Sequence, residues 1–278
     1  MRVFGEDGDA LARAGADVGA LRAVEEEVAA AVASLPRGGS VDAHVHLGRD
    51  ADGHALDPAG LLEDLERWEL ESAVCFPANE PGPDKPFAAA NAAILAAAEA
   101  APGRVIPFCR VDPGQPGALD AMARAAAAGA RGLKLHPVAQ RFRPESEEAV
   151  EAVRDAATRG WPVTIHAGFG ARPLAAGIAA LVEAVPDARL MLAHGGRGDA
   201  RALAALLPGW PNVMLDTSLA ALADLRALPP ERLAFGSDRP YGDHATALLL
   251  VRRAADVAGW RDDEVAGVMG GNMRALVP

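Results

Sequence analysis

Cysteine is scarce: Cys75 and Cys109 are the only two in 278 residues, and each lies inside an apolar run. They provide no disulfide framework and read as reduced core residues of an intracellular, cytoplasmic protein. Aromatic residues make up 4% of the chain, too few for a base-stacking platform. Positive charge is also short, because 27 Lys and Arg face 38 Asp and Glu for a net charge of −11. That balance argues against nucleic acid or an anionic membrane as a partner. No window approaches a membrane span, and the charged, Ala-rich start carries no signal-like segment. No Gly-x-Gly-x-x-Gly follows the first predicted strand and no phosphate loop occurs, which disfavours a dinucleotide-binding open sheet.

Hydrophobic residues are plentiful at 50%, enough for a sizeable core. Residues 1–39 place Leu11, Val18, Leu21, Val24, Val28 and Val32 at helical spacing, so a leading helical extension is expected before Pro36-Arg37-Gly38-Gly39. From residue 40 a rhythm begins. Short apolar runs rich in β-branched residues start at Val41, Ser72, Arg104, Arg131, Pro162, Arg189, Asn212 and Leu233. Ala-rich helical stretches separate them, and a terminal helix is expected from Asp262 to Leu276. Eight strands each followed by a helix predict a single (β/α)₈ barrel over residues 40–278.

Catalytic groups of such barrels gather at the C-terminal ends of the strands. Strand one ends in His44-Val45-His46, strand three in Arg110, strand four in Lys134-Leu135-His136 and strand five in His166. Strand six ends in His194, strand seven in Asp216, and strand eight in Asp238-Arg239-Pro240. Five of the seven histidines thus fall at strand ends. A His-x-His pair shares one strand face, and alternation puts Asp42 on the same face to orient a ring through its second nitrogen. Alone, that pair also fits two hydrogen-bonded strand histidines; the clustering of the others favours a metal site.

As an ordered set, His44-Val-His46, His166, His194 and Asp238 resemble the metal-site signature of the amidohydrolase superfamily. Gly-Leu-Lys134-Leu-His136-Pro, Phe-Gly-Ser-Asp238-Arg-Pro-Tyr241-Gly and Gly271-Asn272-Met273-Arg274 narrow the resemblance. They are similar to the branch holding small lactone and ester hydrolases and aminocarboxymuconate-semialdehyde-type decarboxylases. The resemblance implies that His44, His46, His166 and Asp238 hold one divalent ion, zinc first, with manganese or iron as alternatives. It implies that Asp238 also takes a proton from metal-activated water, and that His194 stabilises or protonates the developing oxyanion. The reaction implied is hydrolysis of a small, carboxylate-bearing lactone, ester or amide, with non-oxidative decarboxylation as the alternative.

Lys134 and His136 share a strand parity and are expected to face the substrate, and Arg110 and Arg239 to grip a carboxylate. A lysine at the strand-four position can be carboxylated and bridge two metals in some superfamily members. The residues around Lys134 match the branch in which it stays unmodified. The loop from Gly48 to Pro58 is short, which points to a small substrate or to a site completed by a partner subunit in a homo-oligomer.

Overall fold

The computed structural model describes residues 2–4, 6–78, 87–170 and 174–277. Eight parallel strands follow one another in sequence order: β1 (Val41–Arg49), β2 (Ser72–Pro77), β3 (Val105–Arg110), β4 (Gly132–Leu135), β5 (Pro162–Ile165), β6 (Arg189–Leu192), β7 (Val213–Asp216) and β8 (Leu233–Ala234). A ninth, Ala55–Leu56, pairs antiparallel with the end of β1. The segment after β8 returns to β1: Ala43 N–H donates to Phe235 O at 2.7 Å and His46 N–H to Arg239 O at 2.7 Å. In the other direction Asp238 N–H donates to His44 O at 2.9 Å. These bonds bring the first and last strand ends side by side.

The helices follow in turn: α1 (Pro58–Arg67), α2 (Ala88–Ala100), α3 (Ala118–Ala127), α4 (Glu147–Thr158), α5 (Ala175–Ala184), α6 (Ala200–Leu206), α7 (Leu222–Leu225) and α8 (His244–Ala258). Several have the start signals expected of their sequences. Asp57, Ser146 and Asp243 accept from the N–H groups of Gly60, Ala149 and Thr246, and Pro58 sits in the first turn of α1.

Two apolar clusters divide the core. The larger lies between strands and helices and includes Val45, Leu47, Leu61, Leu65, Leu133, Ile165 and Leu248. The smaller gathers Val41, Ala43, Val74, Phe76, Phe108, Met191 and Met214 with Met273 and Leu276 of the chain's end. That second cluster fills the barrel interior below the histidines, leaving the C-terminal face for chemistry.

Two expectations need correction. The leading segment is not only helical: Arg2–Val3 pairs with Glu6–Asp7 as a short ribbon before helices Gly8–Arg13 and Val18–Val32. Two-residue strands carry no periodicity to detect. The terminal helix from Asp262 to Leu276 is also broken, into Asp262–Ala266 and Asn272–Leu276 around a kink at Gly270. A Cβ on Gly270 would lie 2.0 Å from the Gly39 carbonyl, so only glycine permits this crossing. The kink frees the Val268 carbonyl to accept from Phe235 N–H at 2.8 Å. Asn272 Nδ2 donates to the carbonyls of Pro230 and Leu233, which ties the terminal segment to strand eight.

Candidate active site

The end of β1 is irregular, and that irregularity builds the site. Its pairing with β2 shifts register between Asp42 and Val45, so the face alternation is broken. Ala43 packs in the interior cluster while His44 and His46 contact the ring of Phe76, with centroids 5.0 and 4.7 Å away. Asp42 is therefore not where alternation put it. It accepts from Ser237 N–H at 2.9 Å and approaches His244 Nε2 at 2.9 Å, on the side of α8. The carboxylate that orients His44 is Asp216 of β7, with Oδ2 2.7 Å from His44 Nδ1.

His194 and Asp238 both adopt left-handed backbone, with φ of 61° and 59°. That conformation is costly for residues other than glycine and collects at functional sites. Gly168 makes room for His194, because a Cβ there would lie 2.8 Å from its ring.

Proton accounting explains what the cluster needs. His44 Nδ1 faces Asp216, His46 Nδ1 the Pro77 carbonyl at 3.4 Å, and His194 Nδ1 the Ser218 carbonyl at 3.2 Å. His166 Nε2 faces the Phe169 carbonyl at 3.1 Å. Each of these oxygens only accepts, so a neutral imidazole places its single proton there. The other four nitrogens point inward as lone pairs, that of His44 toward Lys134 Nζ at 3.1 Å. His44 Nε2 lies 3.2 Å from His46 Nε2, and His166 Nδ1 lies 3.1 Å from His194 Nε2. Asp238 Oδ1 adds a third acceptor 3.1 Å from His44 and 3.4 Å from His46, and it is buried with no hydrogen-bond partner. Lone pairs this close repel unless a cation lies among them. Donor atoms of His44, His194 and Asp238 also fall within 4.8 Å of one another. The residues present fit a divalent ion.

The electrostatics agree. Burial pushes His46 and His166 down to about 3 and His194 to about 4, so all three are neutral at pH 7. Burial and Lys134 press His44 the same way, but Asp216 and Asp238 outweigh them and raise it. The two carboxylates thus draw positive charge to that spot. Burial alone would raise Asp238; the neighbouring histidines instead hold its carboxyl well below the usual range.

Lys134 is fully buried with Nζ 3.1 Å from His44 Nε2 and 4.3 Å above the Phe76 ring, and burial lowers it to about 7. His136 stacks on His166 with centroids 4.0 Å apart, and both line a cavity of about 340 Å³ with His46, His194 and Asp238. The two arginines lie elsewhere. Arg110 Nη1 donates to the carbonyls of Pro77 and Ala78 at 3.3 and 3.1 Å, and its guanidinium stacks on Phe87. Arg239 turns below the rim to Asp64 on α1, with Nε and Nη2 at 3.0 and 2.9 Å from Oδ2. Neither lines the cavity among the described residues: Arg239 is engaged by Asp64, and Arg110 by the two carbonyls and the Phe87 ring.

Sequence reasoning gave no role to Asp50, Asp52, Phe169, Leu219 and Tyr241, which also line the cavity among the described residues, although Tyr241 stands in the strand-eight motif. Their signal was available, since each lies within a few residues of a strand end on the same face as the histidines.

Residues 41–278 match the profile of a protein family described as amidohydrolase. The chain belongs to the amidohydrolase family. A search of curated proteins finds no match. Solved structures share the fold at low identity. IDCase of Metarhizium anisopliae matches with a TM-score of 0.69 and 17% identity, over 88% of this chain and 98% of that one. A protein described as a 2-pyrone-4,6-dicarboxylic acid hydrolase from Pseudomonas putida matches at 0.63 and 21%, over 86% and 97%. The 5-carboxyvanillate decarboxylase of Sphingomonas paucimobilis matches at 0.62 and 18%, over 77% and 81%. Members of this superfamily are generally metal-dependent enzymes acting on small molecules, and the inward-facing donors here accord with that. No helix among the described residues is long and apolar enough to cross a membrane.

Proposed function

We propose that this amidohydrolase is a metal-dependent hydrolase of a small lactone, ester or amide, with one divalent ion, zinc first, held by His44, His46, His166 and Asp238. The observation that carries the reading is the set of inward lone pairs around the partnerless Asp238 Oδ1. When bound, such an ion supplies Lewis acidity, polarising a carbonyl and acidifying water at neutral pH.

The chain's own residues divide the remaining work. Asp238, held ionised, accepts the proton of the attacking water. His194 Nε2 takes that proton on from Asp238 and gives it to the leaving oxygen or nitrogen. The contacts of the outer nitrogens support this division of the histidines. His194 Nδ1 lies 3.0 Å from Ser218 Oγ, and that hydroxyl bonds Asp216, so a proton on His194 has a polar route. His166 Nε2 meets only a carbonyl in its hydrogen bonding, which fixes one tautomer and suits a ligand. Lys134 beside His44 restrains the same charge centre; like the two arginines it does not line the cavity among the described residues.

The test is turnover of a panel of lactones, esters and amides by protein stripped of metal and reloaded with zinc, followed by acid release and by evolved carbon dioxide. Acid release restored by zinc supports hydrolysis. Carbon dioxide without acid release would move the site to decarboxylation.

A further inference from the structure

One wall of the cavity is built from carboxylates that the proposed hydrolysis does not use. Asp50 is 8% exposed and lines the cavity together with Asp52. The Tyr241 hydroxyl donates to Asp50 Oδ2, which ties the loop after β1 to the loop that carries Asp238. The Tyr241 ring stands edge-on to His46 with centroids 5.2 Å apart, so this bridge stands beside the metal-side histidines. The loop is held in shape from within. Asp50 N–H donates to the His54 carbonyl at 2.7 Å, and His54 N–H donates to Asp52 Oδ1 at 3.1 Å.

Two further carboxylates therefore stand on the cavity wall in addition to Asp238, whose Oδ1 already lacks a hydrogen-bond partner. An ionised carboxylate offers about four acceptor directions and no donor. A molecule in the cavity meets acceptors that its own donors satisfy, and one that brings only acceptors leaves them without a partner. Phe169 and Leu219 supply the apolar part of the lining. Arg197 stacks on Phe169 at 4.6 Å and donates to the Leu219 carbonyl at 2.7 Å; it backs these two residues and does not line the cavity.

We propose that the substrate turns hydroxyl or ammonium donors, not a carboxylate, toward this wall, and that Asp50 and Asp52 set that specificity. The proposal rests on the hydrolase reading for the position of the scissile bond. It replaces the carboxylate-bearing substrate expected when Arg110 and Arg239 were placed at the mouth.

Three matched γ-lactones test it on the zinc-loaded protein at pH 7, carrying a hydroxymethyl, an aminomethyl or a carboxylate group at the same carbon. Calorimetry reads a dissociation constant for a compound that is not turned over and KM for one that is. The hydroxymethyl and aminomethyl compounds should bind on the order of tenfold tighter than the carboxylate, the worth of one charge-assisted hydrogen bond. Asp52→Asn keeps the shape at an exposed position and should narrow that gap several-fold, most for the ammonium. Asp50→Asn should act the same way, and Asp52→Asn serves alone if the more buried change unfolds the protein. Equal or tighter binding of the carboxylate, no preference among the three, or a gap that survives Asp52→Asn overturns the proposal. A preserved preference with no hydrolysis of any compound would instead count against the reaction and leave the specificity standing.

Discussion

Asp216→Asn is the most informative single change at the metal-side cluster. Both carboxylate oxygens are committed: Oδ2 lies 2.7 Å from His44 Nδ1, while Oδ1 accepts from His194 N–H and Ser218 N–H at 3.0 Å and from the Ser218 hydroxyl. Asparagine has one acceptor oxygen and one donor group. Turned one way, its NH₂ meets the His44 Nδ1 proton; turned the other, it meets the backbone donors. Either orientation leaves a buried donor facing a donor, which costs about 1–3 kcal/mol of stability. If His44 escapes by moving its proton to Nε2, its lone pair is lost to the metal. Removing a partner of this kind typically lowers metal affinity 10–100-fold, about 1.4–2.8 kcal/mol. The assay is zinc titration against a competing chelator, with a urea melt of the metal-free protein alongside. Wild-type zinc affinity in a folded Asp216→Asn protein would refute the proton accounting on which the metal site rests.

Purified protein should carry about one equivalent of divalent metal per chain by elemental analysis, and two equivalents would move Lys134 to a bridging role. His166→Ala should weaken metal binding, whereas His194→Ala should keep the metal and lower turnover on the order of 100-fold; a metal-free His194→Ala protein would exchange the two assignments. His46 and His166 at about 3 and His194 at about 4 lie below their value of about 6.5 in the unfolded chain. The unfolded state therefore binds more protons below that value, so stability present at pH 7 is lost as pH falls toward 4. The loss should be roughly 2 kcal/mol per histidine by pH 5, offset in part by the raised His44. A urea midpoint of the metal-free protein that is unchanged between pH 7 and 5 would contradict this. Arg239→Met should leave Asp64 without its buried partner and destabilise by about 3–5 kcal/mol, while KM stays within twofold or so of wild type; a large rise in KM with normal stability would return Arg239 to the substrate.

The barrel was legible because its evidence is repetitive. Eight apolar runs and the helices between them each lie where the period changes, and no single run has to be read correctly for the count to hold. The cluster at the strand ends was legible for a related reason: His44, His46, His136, His166 and His194 are markers whose meaning depends only on the strand-end rule. The partners of the charged residues were not. Arg239 and Asp64 are separated by 175 positions, and whether a guanidinium at a strand end points into the cavity or under the rim depends on a carboxylate supplied by another element. Arg110 shows the same limit, because it donates to two backbone carbonyls that a sequence does not display.

The same reasoning explains why Asp216, and not Asp42, stands behind the His44 ring. Alternation along β1 assigns Asp42 to the face of His44 only if every residue advances the pleat by one step, and the register shift between Asp42 and Val45 breaks that condition. His194 and Asp238 stand on left-handed backbone, which no strand or helix period describes. Periodic patterns report regular backbone, and regular backbone is where packing alone decides the structure. Aiming several polar side chains from different strands at one point requires local departures from regularity, held by particular partners: Gly168 beneath His194, Asp216 behind His44, Ser237 against Asp42. The elements are thus read best by their period and the site by its composition, and the two readings diverge where the chain leaves its regular geometry to build the site.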